Sequence, residues 1–548
     1  MTGEGADRRG PSRTLLLLLA LWLGVRALAA SRTEVAAADG TIFGQMAREA
    51  RSGEIALLLD HDQHPAHPAL LSIGLLFTDR LHLGCQIGAI LFSLLTFAVA
   101  RRIGAALDEG APENPGPGMR TWVPILFALW PPLVRWTANF TSEPAFVTFA
   151  LAGLLEAQGA ATAASGAAVG GAAASGWARR AAAAGVWFAL AHLTRMEGFF
   201  LPCACALGFA LLAARGALPG ARASGIAGTI LLVFASGIAP YILHLRASTG
   251  EWRTSRKKDV TYFVSESLHA WTKRLLGDPG APVGQAPQQP QAPPAIVDPN
   301  VRPSSTTETF DRVRRLSFSL LKGAGAGTAA LLAAWLFVPS LRGGRTSATR
   351  GWNALAGSAA TLHACACAAL IFRSNYLESR HAMPVAACLL PWAAQAARAL
   401  ARRTGRLALP ARTALAVLLA ACAAESIGSR SAPERVALRR CGEWLAEGAP
   451  PRSLAVIVEG PHAERVAFYA GARVRIFIMS GEESLEAFTD RLKPRLVIYD
   501  ERLARRVDNA PQFAAFLARL GDPSSPYQEV RPPPASGTGV PLRYFRSR

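Results

Sequence analysis

Charge is scarce in this chain. Only 18% of its 548 residues are Asp, Glu, Lys or Arg, against about a quarter in soluble domains. Acid is the scarcer sign, 38 residues against 58 basic, which leaves a net charge of +20. With 51% hydrophobic residues and a mean hydropathy of +0.22, a soluble fold would lack the polar surface to cover its apolar mass. A disordered chain needs the opposite composition. A soluble nucleic-acid binder accounts for the charge but not for the hydropathy. What remains is an integral membrane protein.

Cysteine is sparse too. The eight residues lie mostly inside apolar runs. The pairs Cys203/Cys205 and Cys365/Cys367 have neither a second pair nor a histidine at zinc-finger spacing. A disulfide framework and a structural zinc site are therefore not expected, and small hydrophobes between helices are. An internal repeat of the kind many transporters carry is also missing. So is a glycine-rich phosphate loop: Gly460-Pro461-His462 follows a β-rich run, but no such fingerprint continues from it.

What is abundant is apolar runs of about 17–25 residues, the length that spans a bilayer. Eleven are read as spans: 14–30, 83–100, 121–138, 144–160, 181–194, 197–214, 224–246, 319–340, 353–372, 381–397 and 407–424. The first follows Arg8, Arg9 and Arg13 and ends in Ala27-Leu28-Ala29, a layout that mimics a cleaved signal. A retained helix is expected because further spans follow. Pro68–Thr78 is too short to span and is placed along the interface. With the N-terminus inside, loops and helix ends on the interior side carry eighteen arginines, and the shorter exterior ones eight. That excess orients the N-terminus to the cytoplasm and removes the need for nucleic acid as a partner.

Outside the spans, Ala161–Gly176 is a low-complexity interior linker and Gly280–Pro303 a Pro/Gln-rich exterior stretch. The expected division is a transmembrane domain over 1–430 and a small exterior α/β domain over 431–548. Strands are expected at Leu454–Glu459, Val474–Met479 and Leu496–Tyr499, paired in parallel, with helices near 462–470, 482–492 and 511–520.

The polar residues at helix ends emerge on one face. Loop 31–67 carries Asp39-Gly40, Asp60, His61, Asp62, His64 and His67; later exterior turns read Thr141-Ser-Glu143-Pro144, Leu193-Thr-Arg195-Met-Glu197-Gly198 and Arg373-Ser-Asn-Tyr376-Leu-Glu378-Ser-Arg380-His381. Ionisable groups at membrane depth are costly and mark functional cavities, so the four turns are read as enclosing one polar cleft.

Asp39-Gly-Thr-Ile-Phe-Gly-Gln-Met-Ala-Arg48 with Gly53 and His64-Pro-Ala-His67-Pro68 resembles the first external loop of the GT-C glycosyltransferases. The nearest pattern is that of the ArnT/protein mannosyltransferase-like group (glycosyltransferase 39, RgtA/B/C/D-like). The three later turns, through Arg380-His381-Ala-Met-Pro384, follow in that group's order, so the resemblance spans roughly residues 14–400. Many members carry two adjacent acids in this first loop; here Asp39 is followed by Gly40.

The resemblance implies an inverting transfer of a sugar from a polyprenyl-phosphate donor to a lipid, glycan or protein acceptor, at the outer face of the plasma (cell inner) membrane. Asp39 would be the general base. Arg195, Arg380, His381, Lys257 and Lys258 would serve the donor phosphate, where arginine forks suit phosphate oxygens. Glu143, Glu197, His64 and His67 are acceptor or structural residues of the site. Each has a structural alternative: Asp39 in a turn with Gly40, Glu143 capping a helix, Arg195 paired with Glu197, Arg380-His381 snorkelling to the interface.

No cofactor is required by this reading. Asp60, His61, Asp62, His64 and His67 offer metal-ligand chemistry, but Pro65 and Pro68 break the helix that would align them, so a divalent metal has no support and none is assigned. The sequon Asn139-Phe140-Thr141 overlaps the Ser-Glu-Pro turn and is read as a structural or active-site element rather than a glycosylation site. The competing classes are a lipid-linked glycan flippase and a non-catalytic membrane scaffold.

Overall fold

The computed structural model describes residues 12–109, 117–166, 174–250, 252–256, 306–341, 347–374, 377–428 and 433–448. Beyond these it describes 453–458, 465–466, 468–469, 474–477, 496–500, 518–520, 522–530 and 542–547. The helices run α1 (Arg13–Arg32), α2 (Ala38–Ser52), α3 (Ile55–Asp60), α4 (Ala66–Ser72), α5 (Leu81–Asp108), α6 (Met119–Leu129), α7 (Pro131–Ala138), α8 (Glu143–Gly166) and α9 (Ala174–His192). They continue as α10 (Phe200–Ala214), α11 (Gly220–Thr249), α12 (Thr306–Ala324), α13 (Ala326–Phe337), α14 (Ser347–Ser374), α15 (Met383–Ala401), α16 (Ala408–Gly428) and α17 (Pro433–Gly448).

Seven of these are long and apolar enough to cross a membrane, eight if the bent pair α12–α13 is taken as one span, against the eleven expected. The protein is a polytopic helical membrane protein. The shortfall has physical causes. α9 and α15 are helices of 19 residues, but Arg179, Arg180, Gln395 and Arg398 dilute their apolar content. Two other expected spans are broken. At 121–138, Pro131 has no N–H for the Phe127 carbonyl and starts a new helix as its first residue. At 319–340, Gly325 turns with φ +77°, and α12 meets α13 at 102°. The segment 161–176 is not a simple linker either, since α8 and α9 extend into both of its ends.

The two breaks face each other and satisfy their freed carbonyls by side chains. Trp130 Nε1 donates to Ala324 O (2.9 Å), Ser426 to Leu129 O (3.0 Å), and the buried Arg26 to Phe127 O (3.4 Å) while its guanidinium stacks 3.7 Å over Trp22. Lipid offers no substitute partner for such groups. Around them the core is built from Trp22, Phe127, Phe146, Phe188 and Phe209 set among alanines, with Gly153 admitting the Phe188 ring. Small residues of this kind let transmembrane helices approach closely.

Past α17 the described residues form five strands, β1 (Ser453–Val458), β2 (Val474–Phe477), β3 (Leu496–Asp500), β4 (Tyr527–Val530) and β5 (Leu542–Ser547), in the order β2-β1-β3-β5-β4. The expected strands pair in parallel, β1 with β2 and with β3. β4 and β5 were not expected, and they add an antiparallel edge. The helix expected at 482–492 lies outside the described residues, as do most of the one near 511–520 and the Pro/Gln-rich stretch.

Candidate active site

Asp39 lies not in a loop turn but in the first turn of α2, where the helix dipole favours a carboxylate. The strap from α1 to α2 is pinned by Ala37 N–H to Asn139 Oδ1 (2.9 Å), while Asn139 Nδ2 donates to Arg135 O. Of the two roles expected for the sequon, structural or active-site, these bonds are structural. Gly40 packs so tightly on the same turn that a Cβ there would lie 2.3 Å from Asn139 O. Gly40→Ala is therefore expected to cost about 1–3 kcal/mol and to displace Asp39. Thermal unfolding beside a transfer assay checks this, and a fully wild-type Gly40→Ala would contradict it.

From Asp39 a chain of ion pairs runs inward. Arg380, in the short turn Ser379–Ala382 before α15, pairs with Asp39 and holds Glu378 Oε2 at 2.6 Å from its Nε. The same Nε lies 3.8 Å from Glu143 Oε1, and the guanidinium 5.9 Å from the Trp136 ring. Glu143, the first residue of α8, takes Arg195 Nη1 at 2.5 Å. Arg195 then grips Glu197 with two bonds, Nη2 at 2.7 Å and Nε at 3.3 Å, and donates to Ser142 Oγ.

Exposure is least in the middle of the chain, 3% at the Glu143 side chain, and rises both ways, to 12% at Arg195 and 19% at Glu197 on one side and to 26% at Asp39 and 43% at Glu378 on the other. The buried middle is a fixed base and the Asp39–Glu378 end is the mouth. Burial alone would lower the pKa of Arg195 and Arg380. The carboxylates of Glu197 and Glu143 outweigh it at Arg195, and those of Glu143, Asp39 and Glu378 outweigh it at Arg380, so both are raised.

Compared by sequence, the chain matches no family model and no curated protein. Compared by structure, it is similar to ArnT from Cupriavidus metallidurans bound to undecaprenyl phosphate, at TM-score 0.55 and 13% identity, over 97% of this chain and 98% of that one. It is also similar to the oligosaccharyltransferase AglB from Archaeoglobus fulgidus in complex with an inhibitory peptide and a dolichol-phosphate. There the TM-score is 0.52 at 12% identity, over 94% of this chain and 72% of that one. The chain has the GT-C fold.

Within this GT-C fold, the turns that sequence order alone had aligned do converge: Asp39, Glu143, Arg195, Glu197 and Arg380 form one network. The structural alternative for Arg195 is also realised, since Glu197 is its partner. Glu378, Trp136 and Ser142 join the network without having been singled out. Glu378 stands two residues before Arg380, and that spacing was the available signal. Lys257 and Lys258 lie outside the described residues.

His381 sits in this network as the cap of its own turn. Its Nδ1 accepts from Glu378 N–H (3.3 Å) to cap its own turn, and burial, with Arg195 nearby, pushes its pKa down to about 4. Its carbonyl accepts from His363 Nε2 (2.8 Å).

The histidines of the first loop take other posts. His64 Nε2 lies 3.0 Å from Ser255 Oγ, and its ring meets His192 edge to face. His67 Nε2 donates to Phe140 O (2.9 Å), steadying a residue held at φ +42°. Asp60 pairs with His244 and Arg256. Among the described residues, no three metal-ligating side chains converge.

Burial pushes the His67 pKa down to about 4, so the folded protein holds it neutral while an unfolded chain protonates it near 6.5. Its stabilising share is present above that value and is lost as pH falls toward 4, up to about 3 kcal/mol. His67→Gln is expected to flatten the fall in unfolding temperature between pH 7 and 4.5. An unchanged slope would contradict the assignment.

Proposed function

We propose that the protein is an inverting membrane glycosyltransferase that uses a polyprenyl-phosphate sugar at the extracytoplasmic face. The supporting observation is the accessible Asp39 carboxylate, aimed by a helix N-terminus and paired with Arg380, at the mouth of a charged cleft in the GT-C fold. The acceptor hydroxyl attacks the anomeric carbon and gives its proton to Asp39. The bond from that carbon to the phosphate oxygen breaks, and polyprenyl phosphate leaves with the electron pair.

The network sets four carboxylates against two guanidiniums among the described residues. A phosphate therefore reaches Arg380 by competing with carboxylates that already hold it. The exchange has a use: when Arg380 turns to the departing phosphate, Asp39 loses the cation that blocks its lone pair and becomes free to take a proton. Arg195, locked between Glu143 and Glu197, keeps the frame rigid while Arg380 exchanges partners. The orientation that fits the arginine distribution puts the N-terminus in the cytoplasm and Asp39 outside.

The reading is tested by supplying a panel of polyprenyl-phosphate sugars of known anomeric configuration to the purified protein with a membrane-extract acceptor, and assigning the product linkage by NMR. Inverted linkage is expected. Retention would overturn single displacement with Asp39 as base.

A further inference from the structure

The strap that carries Asp39 is held from a second side by the region beyond α17. Ala36, three residues before Asp39, donates its N–H to Tyr469 Oη (3.0 Å) and accepts at its carbonyl from Arg465 Nε (3.3 Å). Tyr469 Oη also lies 2.9 Å from His82 Nδ1, and His82 Nε2 lies 3.2 Å from Thr33 O. These partners require the imidazole proton on Nε2, so the tyrosine donates to Nδ1 while accepting from Ala36. Arg439 of α17 donates to Glu34 O (2.9 Å) and lies over the Tyr469 ring.

Beside this, Phe468 is 2% exposed and packs with Phe43 and Phe140, its ring 5.9 Å from that of Phe140. A Cβ at residue 44 would lie 2.3 Å from the Phe468 ring, so Gly44 is what admits it to the α2 surface. Apart from His82 and Phe140, these contacts fall on residues 33–44, the strap and first turns of the helix that presents Asp39. The ion pairs of the cleft grip Asp39 at its carboxylate, whereas these contacts grip the backbone of the strap that leads into it.

We infer that Arg465, Phe468 and Tyr469 form a latch through which the C-terminal region positions Asp39. This rests on the proposed transferase reading for its catalytic consequence but not for its structural one. Tyr469→Phe removes the acceptor for Ala36 N–H and the donor to His82, and leaves the ring in place. Phe468→Ala empties the plug, and Phe468→Leu largely refills it. A base displaced by a fraction of an ångström loses rate rather than substrate affinity. In both Tyr469→Phe and Phe468→Ala, kcat is expected to fall about tenfold with the donor KM unchanged, and Phe468→Leu is expected to recover most of it.

The independent readout is hydrogen–deuterium exchange of the full-length protein in detergent. Amides 36–43 are expected to exchange faster in Tyr469→Phe and Phe468→Ala, while those of α5 and α8 hold their wild-type rates. Wild-type exchange at 36–43 in both variants would overturn the latch. Faster exchange with unchanged kcat would overturn its positioning role. Should the wild type transfer no sugar from any donor, the transferase reading fails, and the exchange comparison still decides whether the latch exists.

Discussion

Asp39→Asn is expected to lower the rate of sugar transfer about a thousandfold, within the range seen when a positioned general base is removed. The amide matches the carboxylate in size and still accepts a hydrogen bond from Arg380, so the fold should persist. It cannot take the acceptor proton at neutral pH. Arg380 keeps Glu378 at 2.6 Å but loses one of its two anions at the mouth of the cleft. Donor affinity is therefore expected to hold or to tighten while kcat collapses. That split is the signature of a base that a cation blocks in the resting state. A proportionate rise in donor KM with unchanged kcat would instead make Asp39 a binding residue.

Arg195→Ala should have the largest effect on stability. Glu143 is nearly fully enclosed, and Arg195 makes its shortest ion pair while holding Glu197 with two bonds. Deleting one partner of a buried ion pair leaves the other uncompensated, at a cost of about 3–5 kcal/mol. Arg195→Lys keeps the charge but cannot reproduce the fork, and should fall between. Unfolding in a denaturant series checks both. The triple variant Arg195→Met, Glu143→Leu and Glu197→Met is expected to regain much of the stability and none of the activity, because apolar residues replace buried ion pairs well. A stable, folded Arg195→Ala protein would show that water reaches Glu143 freely and that the cleft has no rigid base.

The membrane class and the convergence of the cleft were legible because each rests on a local signal. Apolar runs mark the helices, and ionisable residues at their ends mark one face. Other features depend on partners distant in sequence. Pro131-Pro132 stands inside a run read as one span, and only the packing shows that its neighbour Trp130 bonds the carbonyl before Gly325. The region after Asp39 read as loop because its polar residues drew attention. Yet it is a helix, ended by Gly53 at φ +79°, in the left-handed region that suits glycine.

His381 reads in the sequence as a cation beside Arg380, whereas its burial, visible only in the fold, lowers its pKa. β5 sets the adjacent Tyr544 and Phe545 between Arg543 and Arg546, a run too short and too charged to stand out before β3 and β4 flank it. Phe468 and Tyr469 gave no sign of their role, since a lone aromatic pair in a soluble segment reads as ordinary core. Their partners at Ala36, Gly44 and His82 are some 390–430 residues away.

The central claim is that Asp39 takes a proton during displacement of polyprenyl phosphate. Its most direct test is release of polyprenyl phosphate from a panel of polyprenyl-phosphate sugars by purified protein in lipid nanodiscs. Wild type would be run beside Asp39→Asn, with folding of both confirmed by thermal unfolding. Release by the wild type that falls about a thousandfold in Asp39→Asn is the predicted result. Equal release by the two proteins, or none from any donor, would contradict it.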